Sequence, residues 1–316
     1  MIKTINKNYI YLYNDKKMLL LIRVIKMLDF RIDTFLAVCK FMNFTKASQY
    51  LNITQPAVSN HIHYLESYYQ IKLFYFLGKK MQLTDEGKIL LEYARTLKHD
   101  DIFLKRKFND MKMKQELIFG ATLTVGEYMM PKVIDNFLSN QDNMVLKMEV
   151  ANTKELLNYI NEGKIDFALV EGYFNKLEYD YLYYCKEQYV CLAANDLEID
   201  AVKNISELFS YNLIIRETGS GSREILERYL GECNLSINDF INLIEISNIN
   251  TIKQLVKNNR GITFMYRIAV EKEIELGLLK EIKIADLSME HDINFVWRKN
   301  SVFVDYYQQL FKLFSK

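Results

Sequence analysis

Two sets of polar residues in this 316-residue chain have the types and spacing to do chemistry. The first is Gln55, Ser59, Asn60 and His63. On a helix they fall off an apolar stripe made by Val58, Ile62 and Leu65, which recur at helical spacing. Amide, hydroxyl and imidazole groups on such an outer face can exchange hydrogen bonds with base edges in a DNA groove. The second set is Thr122, Thr124, Thr218, Ser220, Ser222, Ser247 and Asn248, together with Glu171. The hydroxyl and amide members lie where a β-prone run ends and a helix begins. Helix starts offer free N–H groups and the positive end of the dipole, so neutral hydroxyls there suit an anion or carboxylate. The same residue types are preferred helix caps, and a purely structural role is the alternative at each position. Glu171 ends the run DFALVE and is expected at the rim of the site.

The first set needs a helix held at a fixed angle, and its surroundings supply one. Thr45 can cap a short helix with Ala47, Tyr50 and Leu51 on one side, and Asn52–Ile53 forms the turn. Thr54 caps the second helix and Pro56 sits in its first turn, where a missing N–H costs nothing. Ile53 and Val58 are spaced to close a hydrophobic staple. This is the pattern of a helix-turn-helix, whose second helix enters the major groove; an ordinary helical hairpin is the plainer alternative. Thr45, Thr54 and Pro56 thus join the four outer residues as the expected DNA-facing set. Ile32, Phe35, Leu36, Cys39 and Met42 predict a helix packed against the pair. Lys72–Phe76 and Met81–Leu83 flank Gly78, Lys79 and Lys80, which predicts a hairpin wing carrying Lys79 and Lys80 to DNA phosphate. The whole chain has 41 basic and 40 acidic residues, a net charge of +1, so nucleic-acid attraction must be local. From Met27 to Gln82 there are six Lys or Arg against three acids.

Thr84 caps a long helix with Asp85 and Glu86 in its first turn, where the dipole favours them. Leu90, Ala94, Leu97, Leu104, Phe108 and Met111 follow a heptad broken by Asp101. A dimer seam is the favoured reading, packing against the chain's own domain the other.

The second set needs turns at the ends of strands. From Glu116 the chain alternates: strand ELIFGAT, helix Gly126–Leu138 with Thr124 and Glu127 as a capping box, strand MVLKMEV, helix Thr153–Asn161, strand DFALVEG. Strands YLYYC and QYVCLAA then flank an expected crossover. YNLIIRE, helix Arg223–Glu232, NLIEIS, helix Thr251–Lys257, GITFMYR, helix Ile268–Leu276, INFVWRK and helix Val302–Phe314 complete the alternation. This predicts an α/β architecture with mostly parallel sheets and two lobes about a cleft.

Half the residues are hydrophobic and 26% charged, which fits a globular protein. Cys39, Cys185, Cys191 and Cys233 form no CxxC pair and read as reduced thiols of a cytoplasmic protein. The four histidines offer no metal site. Met18–Ile22 is too short for a secretory or membrane segment. The TGSGS turn lacks the P-loop pattern, and no Ser-His-Asp set or paired acids stand out, so neither an enzyme nor a cofactor is expected. Residues 1–26 show no period, and Met27 opens the amphipathic pattern; they read as a misassigned start or a disordered arm.

From Met27 onward the chain resembles the LysR-type transcriptional regulators. The resemblance rests on FTKASQYLNITQPAVSNHIHYLE, the LF and LTDEG segment, the linker helix, GATLTVG, GKIDFALVEG and IIRETGSGSREILE in that order. It implies a winged helix-turn-helix over 27–84, a dimerising linker helix over 85–114, and a two-lobed α/β effector domain of periplasmic-binding-protein type II. Residues 115–187 with 288–316 would form the first lobe and 188–287 the second. It also implies homodimers or homotetramers, double-stranded promoter DNA, RNA polymerase and a small-molecule effector as partners, with no membrane. Thr122, Thr124 and Ser220 are the effector contacts it favours. A transporter's solute-binding protein, suggested by the lobes alone, is set aside by the helix-turn-helix and the lack of a secretory segment. Two departures stand out. Phe76 and Leu77 occupy the wing region where the family commonly has arginine, and Asn60 replaces a residue that is often basic. Asn60 either reads an adenine edge or faces solvent.

Overall fold

The computed structural model describes residues 29–110, 115–139, 143–199, 201–285 and 289–315. The arm 1–26 and the seam residue Met111 lie outside the described residues. Two compact units are present. One holds the chain up to Glu116 with Asn161–Lys164 and Arg298–Gln308, and the other holds Leu117–Ile160, Ile165–Trp297 and the closing residues from Gln309.

The first unit begins with α1 (Phe30–Phe41), α2 (Phe44–Leu51) and α3 (Gln55–Tyr69). Ile32, Phe35, Val38, Ala47, Val58, Ile62 and Leu65 make one core, so the stripe that defines α3 in the sequence is its buried face. Thr54 caps α3 as expected, accepting the Ala57 N–H at 3.3 Å. Thr45 does not cap α2. Asn43 does, its side chain accepting the Lys46 N–H at 2.9 Å, and Thr45 lies exposed in the first turn. Asn52 ends α2 in the left-handed region at φ 56°, which a short polar side chain tolerates. Ile53 is exposed while Val58 is fully buried.

β1 (Phe74–Leu77) and β2 (Lys80–Leu83) pair antiparallel with Leu77 opposite Lys80, so Gly78 and Lys79 alone make the turn. Gly78 takes φ 63°, the positive angle that a two-residue hairpin loop requires. Glu66 joins this hairpin to α3. One carboxylate oxygen accepts the Leu73 N–H at 3.0 Å and the other meets Lys72 Nζ at 2.9 Å. Burial raises the Glu66 pKa, but these donors and His63 outweigh it and hold the carboxyl below its ordinary range.

The linker helix α4 (Asp85–Asp110) is capped by Thr84, which accepts the Gly87 N–H at 2.9 Å. Its seam is only partly as expected. Leu90 and Ala94 pack into the core of α1–α3, whereas Leu97 and Phe108 are exposed together with Ile89 and Tyr93. The same helix also carries a largely buried polar network along Glu92, Thr96 and Asp100. The Arg298 guanidinium binds Thr96 Oγ1 at 3.2 Å, Asn161 Oδ1 at 2.9 Å, and both the carbonyl and the carboxylate of Glu92. Asp100 accepts from Ser301 Oγ at 2.6 Å and the Val302 N–H at 2.9 Å.

The second unit is α/β. Its main sheet runs β4 (Met144–Val150), β3 (Gln115–Ala121), β5 (Phe167–Val170), β12 (Met289–Arg298), β6 (Tyr179–Ala194), β11 (Leu279–Ile284), β7 (Ala201–Val202), with β10 (Thr263–Tyr266) also on β6. A separate parallel pair joins β8 (Asn212–Ile215) and β9 (Asn242–Glu245). The helices are α5 (Met130–Leu138), α6 (Thr153–Asn161), α7 (Gly221–Glu232), α8 (Ile249–Lys257) and α9 (Glu271–Glu275), and α10 (Val304–Phe314) runs from the first unit into the second.

Two expectations need correction. YLYYC and QYVCLAA are one continuous strand, β6, without a crossover between them. It has different neighbours along its length, β12 and then β10 and β11, so it belongs to both lobes. The sheets are also mixed rather than mostly parallel: β3–β5, β7–β11 and β8–β9 are parallel, while β5–β12, β6–β10 and β6–β11 are antiparallel. Leu156, Ile160, Ala168, Val170 and Val296 pack together in one lobe. Leu213, Ile215, Leu226, Ile262 and Phe264 anchor the core of the other.

Candidate functional site

Most of the residues expected to face DNA are exposed. Thr54, Gln55, Pro56, Asn60 and His63 are exposed and Ser59 is half-buried. Gln55 Nε2 donates to Ser59 Oγ at 3.0 Å, which ties these two side chains to each other. Lys79 and Lys80 are exposed at the hairpin turn, and Lys46 on α2 is exposed as well. Phe76 and Leu77, beside the lysines, are each 66% exposed. His61 turns inward instead, its Nδ1 2.9 Å from Thr34 Oγ1.

The second set gathers at strand ends. Ala121 and Leu169 are partners in the parallel pair β3–β5, so both strands end side by side, and the Thr122 N–H donates to the Leu169 carbonyl. Thr122 and Glu171 therefore emerge together at the carboxyl edge of the sheet, where α/β folds place ligands. Thr124 does not form the expected capping box. It sits in helical backbone ahead of a π turn, Val125–Met129, and its hydroxyl reaches Glu171 Oε1 at 3.3 Å.

Glu171 is at the centre of the site and not at its rim. It is 1% exposed, and its Oε2 has no hydrogen-bond partner. Burial is the main influence on it and raises the carboxyl to about 7. The Arg216 guanidinium and the Thr124 and Thr122 hydroxyls oppose that rise, and Glu217 adds to it. Thr122 Oγ1, also buried, is close enough to Glu171 to lower its carboxyl but meets no partner at full hydrogen-bond geometry.

The other side comes from the second parallel pair. After β8, Glu217 holds Arg216 in a two-pronged ion pair at 2.8 and 2.9 Å. Gly219 turns the chain at φ 94°, and Ser220 precedes α7. The Ser220 and Ser222 hydroxyls lie 3.0 Å apart and are both buried. The two sides touch at glycines. A Cβ on Gly221 would stand 2.7 Å from Gly172 Cα and 3.0 Å from Thr153 Oγ1. Tyr266 Oη donates to the Glu171 carbonyl at 3.3 Å, and Tyr189 Oη to the Ser222 carbonyl at 2.7 Å. Burial pushes both phenols well up, so they stay protonated donors.

Thr122, Thr124, Glu171, Ser220 and Ser222 are thus brought together, while Thr218, Ser247 and Asn248 are exposed. Asn248 acts as the cap of α8, accepting the Thr251 N–H at 2.9 Å. Arg216, Tyr189, Tyr266, Thr153 and Gly172 are not among the expected site residues. Of these only Gly172 carries a signal, standing where a strand gives way to a turn.

Residues 31–88 match the bacterial regulatory helix-turn-helix protein, lysR family. Residues 112–313 match the LysR substrate binding domain. The chain belongs to the LysR family. It is 28% identical over 262 residues to the HTH-type transcriptional regulator MJ0300 of Methanocaldococcus jannaschii, across 81% of this chain and 88% of that one. It is 27% identical over 273 residues to the HTH-type transcriptional regulator CysL of Bacillus subtilis, across 84% and 89%. Among solved structures, OxyR of Corynebacterium glutamicum bound to H2O2 superposes with a TM-score of 0.58 at 18% identity, covering 90% of each chain. The regulatory domain of Synechocystis CcmR in complex with 2-PG gives 0.57 at 15% identity, over 64% of this chain and 96% of that one. The effector binding domain of QuiR in complex with shikimate gives 0.54 at 18% identity, over 64% and 95%. At these identities the likeness shows the fold. This LysR-family chain is therefore a DNA-binding transcriptional regulator with an effector-binding domain. Among the described residues no helix is long and apolar enough to cross a membrane.

Proposed function

We propose that α3 reads the major groove of promoter DNA through Gln55, Ser59, Asn60 and His63, with Thr45, Thr54 and Pro56 at the helix starts and Lys79 and Lys80 on phosphate. The same reading places a small carboxylate between the lobes, met by Thr122, Thr124, Ser220 and Ser222. The observation that carries it is the meeting of two helix starts and buried hydroxyls, one of them unpartnered, at the carboxyl ends of β3, β5 and β8. QuiR and CcmR, with shikimate and 2-PG, support a small acid as the ligand class. In this reading the protein works in the cytoplasm as a homodimer or homotetramer, acts on RNA polymerase and turns over no substrate. The exposed Ile89, Tyr93, Leu97 and Phe108 on α4 support self-association. Ligand binding shifts an equilibrium between two assembly geometries by favouring one of them.

A thermal-shift screen of small acids tests the cleft. A ligand raises the melting temperature by mass action, and Thr122→Ala and Ser220→Ala abolish the rise. Normal responses from both variants would remove these residues from the site. Asn60→Ala tests the groove contact: selective loss on one operator base supports base reading, and equal loss on all sequences sinks it.

A further inference from the structure

We infer that Glu171 makes the cleft selective for a small monocarboxylate that carries a hydrogen-bond donor, an amino or hydroxyl group, close to its carboxylate. This rests on the reading that the effector sits between the lobes, and it names the ligand class more narrowly.

Glu171 has an incomplete set of hydrogen bonds. Glu171 Oε1 accepts one long bond, from Thr124 at 3.3 Å, and Oε2 accepts none although the residue is 1% exposed. A buried carboxylate oxygen without a donor is costly, so this site calls for a donor from outside the chain. The hydroxyls of Thr122 and Thr153 are buried nearby without partners. Thr153 Oγ1 lies at the start of α6, 3.0 Å from where a Gly221 Cβ would be. Hydroxyls can donate, and the start of a helix offers N–H groups, so this side of the site suits the ligand's carboxylate.

The charges of the region restrict the ligand further. Arg216 is held by Glu217, Arg223 by Glu227 and Glu245, and Lys253 by Glu273. Donors facing the ligand are therefore neutral, which fits one negative charge. A second anionic group would meet the carboxyls of Glu171 and Glu217 with every one of these cations already paired. A hydroxyl or ammonium group reverses that repulsion and fills the vacant acceptor at Oε2.

Matched acids of three, four and six carbons provide the test: for each length the plain acid, its 2-hydroxy, 2-amino and 2-oxo forms, and the dicarboxylate. Thermal shifts are read on the full chain as wild type, Glu171→Gln, Thr122→Ala and Ser220→Ala. In wild type the 2-hydroxy or 2-amino acids are expected to bind best. In Glu171→Gln their preference over the dicarboxylate of equal length is expected to fall at least tenfold, because an amide places an N–H donor and no charge at that point. Best binding by plain, oxo or dicarboxylic acids, or an unchanged preference in Glu171→Gln, overturns the selectivity while leaving the cleft. A panel without a stabilising acid, or normal responses from Thr122→Ala and Ser220→Ala, overturns the cleft reading and this inference with it.

Discussion

Replacing Glu171 with Gln removes one titrating group from the middle of the effector domain, and the pH dependence of stability reports its loss. Burial, the largest influence, raises this carboxyl from 4.5 to about 7. Between those values the folded protein holds a proton that the unfolded chain has released. Stability from this group is therefore complete below pH 4.5 and falls as pH rises, until it is lost above pH 7. A rise of about 2.5 units at about 1.4 kcal/mol per unit corresponds to about 3 kcal/mol. Glutamine does not titrate, and every other group is common to both proteins, so the difference between their pH curves isolates Glu171. Trp297 is the single tryptophan, is buried on β12, and lies opposite Phe167 of the strand that leads into Glu171. Urea unfolding followed by its emission at pH 5 and pH 8 measures the effect. Wild type is expected to lose about 2 to 3 kcal/mol more than Glu171→Gln between the two pH values. Parallel pH curves would refute the burial and protonation assigned to this carboxyl.

Three further outcomes follow from the same structure. Gly221→Ala puts a methyl group 2.7 Å from Gly172 Cα, and since backbone cannot rotate away, the Trp297-monitored stability should fall by about 1–3 kcal/mol. Arg298→Ala strips Glu92, Thr96 and Asn161 of a buried shared donor, and should cost about 3 kcal/mol, moderated because Glu92 is partly exposed. Hydrogen exchange of the α4 amides near Glu92 would show the loosening directly. Phe76→Arg adds a cation beside Lys79 and Lys80, and if it reaches phosphate the slope of log K against log salt steepens by about 0.9, read by anisotropy on operator DNA between 50 and 200 mM salt.

Local patterns in the sequence were enough to place α3, the wing and α6. Val58, Ile62 and Leu65 define one face of a helix, Thr54 and Pro56 mark its start, and Gly78 marks the hairpin turn; each signal acts over a few residues. Errors arose where distant groups decide. Asn43 and Thr45 are both good capping types two positions apart, and local residue type alone does not single out Asn43, which caps the helix. Lys186 and Glu187 divide two apolar runs as a turn would, yet no glycine or proline stands between them, and the strand continues because it has neighbours on both halves. Thr124 has Glu127 at capping-box spacing but bonds Glu171, 47 positions on. Glu171 is buried beside the close approach of Gly172 and Gly221, and no local pattern reveals either.

That close approach ties the proton to the ligand. A motion that parted Gly172 from Gly221 and let water reach Glu171 would relieve its charged form, the only form that burial penalises. Above pH 7 the ionised group therefore favours the open arrangement. A ligand donor at Oε2 supplies the missing partner in the closed arrangement alone, so its binding favours closure. A roughly 100-fold difference in affinity between the two arrangements, about 2.7 kcal/mol, carries the closed fraction from about one in eleven to ten in eleven. That is the size of the proton effect worked out above. Protonation at pH 5 then does part of the ligand's work in advance. The ligand-induced change in DNA affinity should accordingly shrink from pH 8 to pH 5 in wild type and stay level in Glu171→Gln.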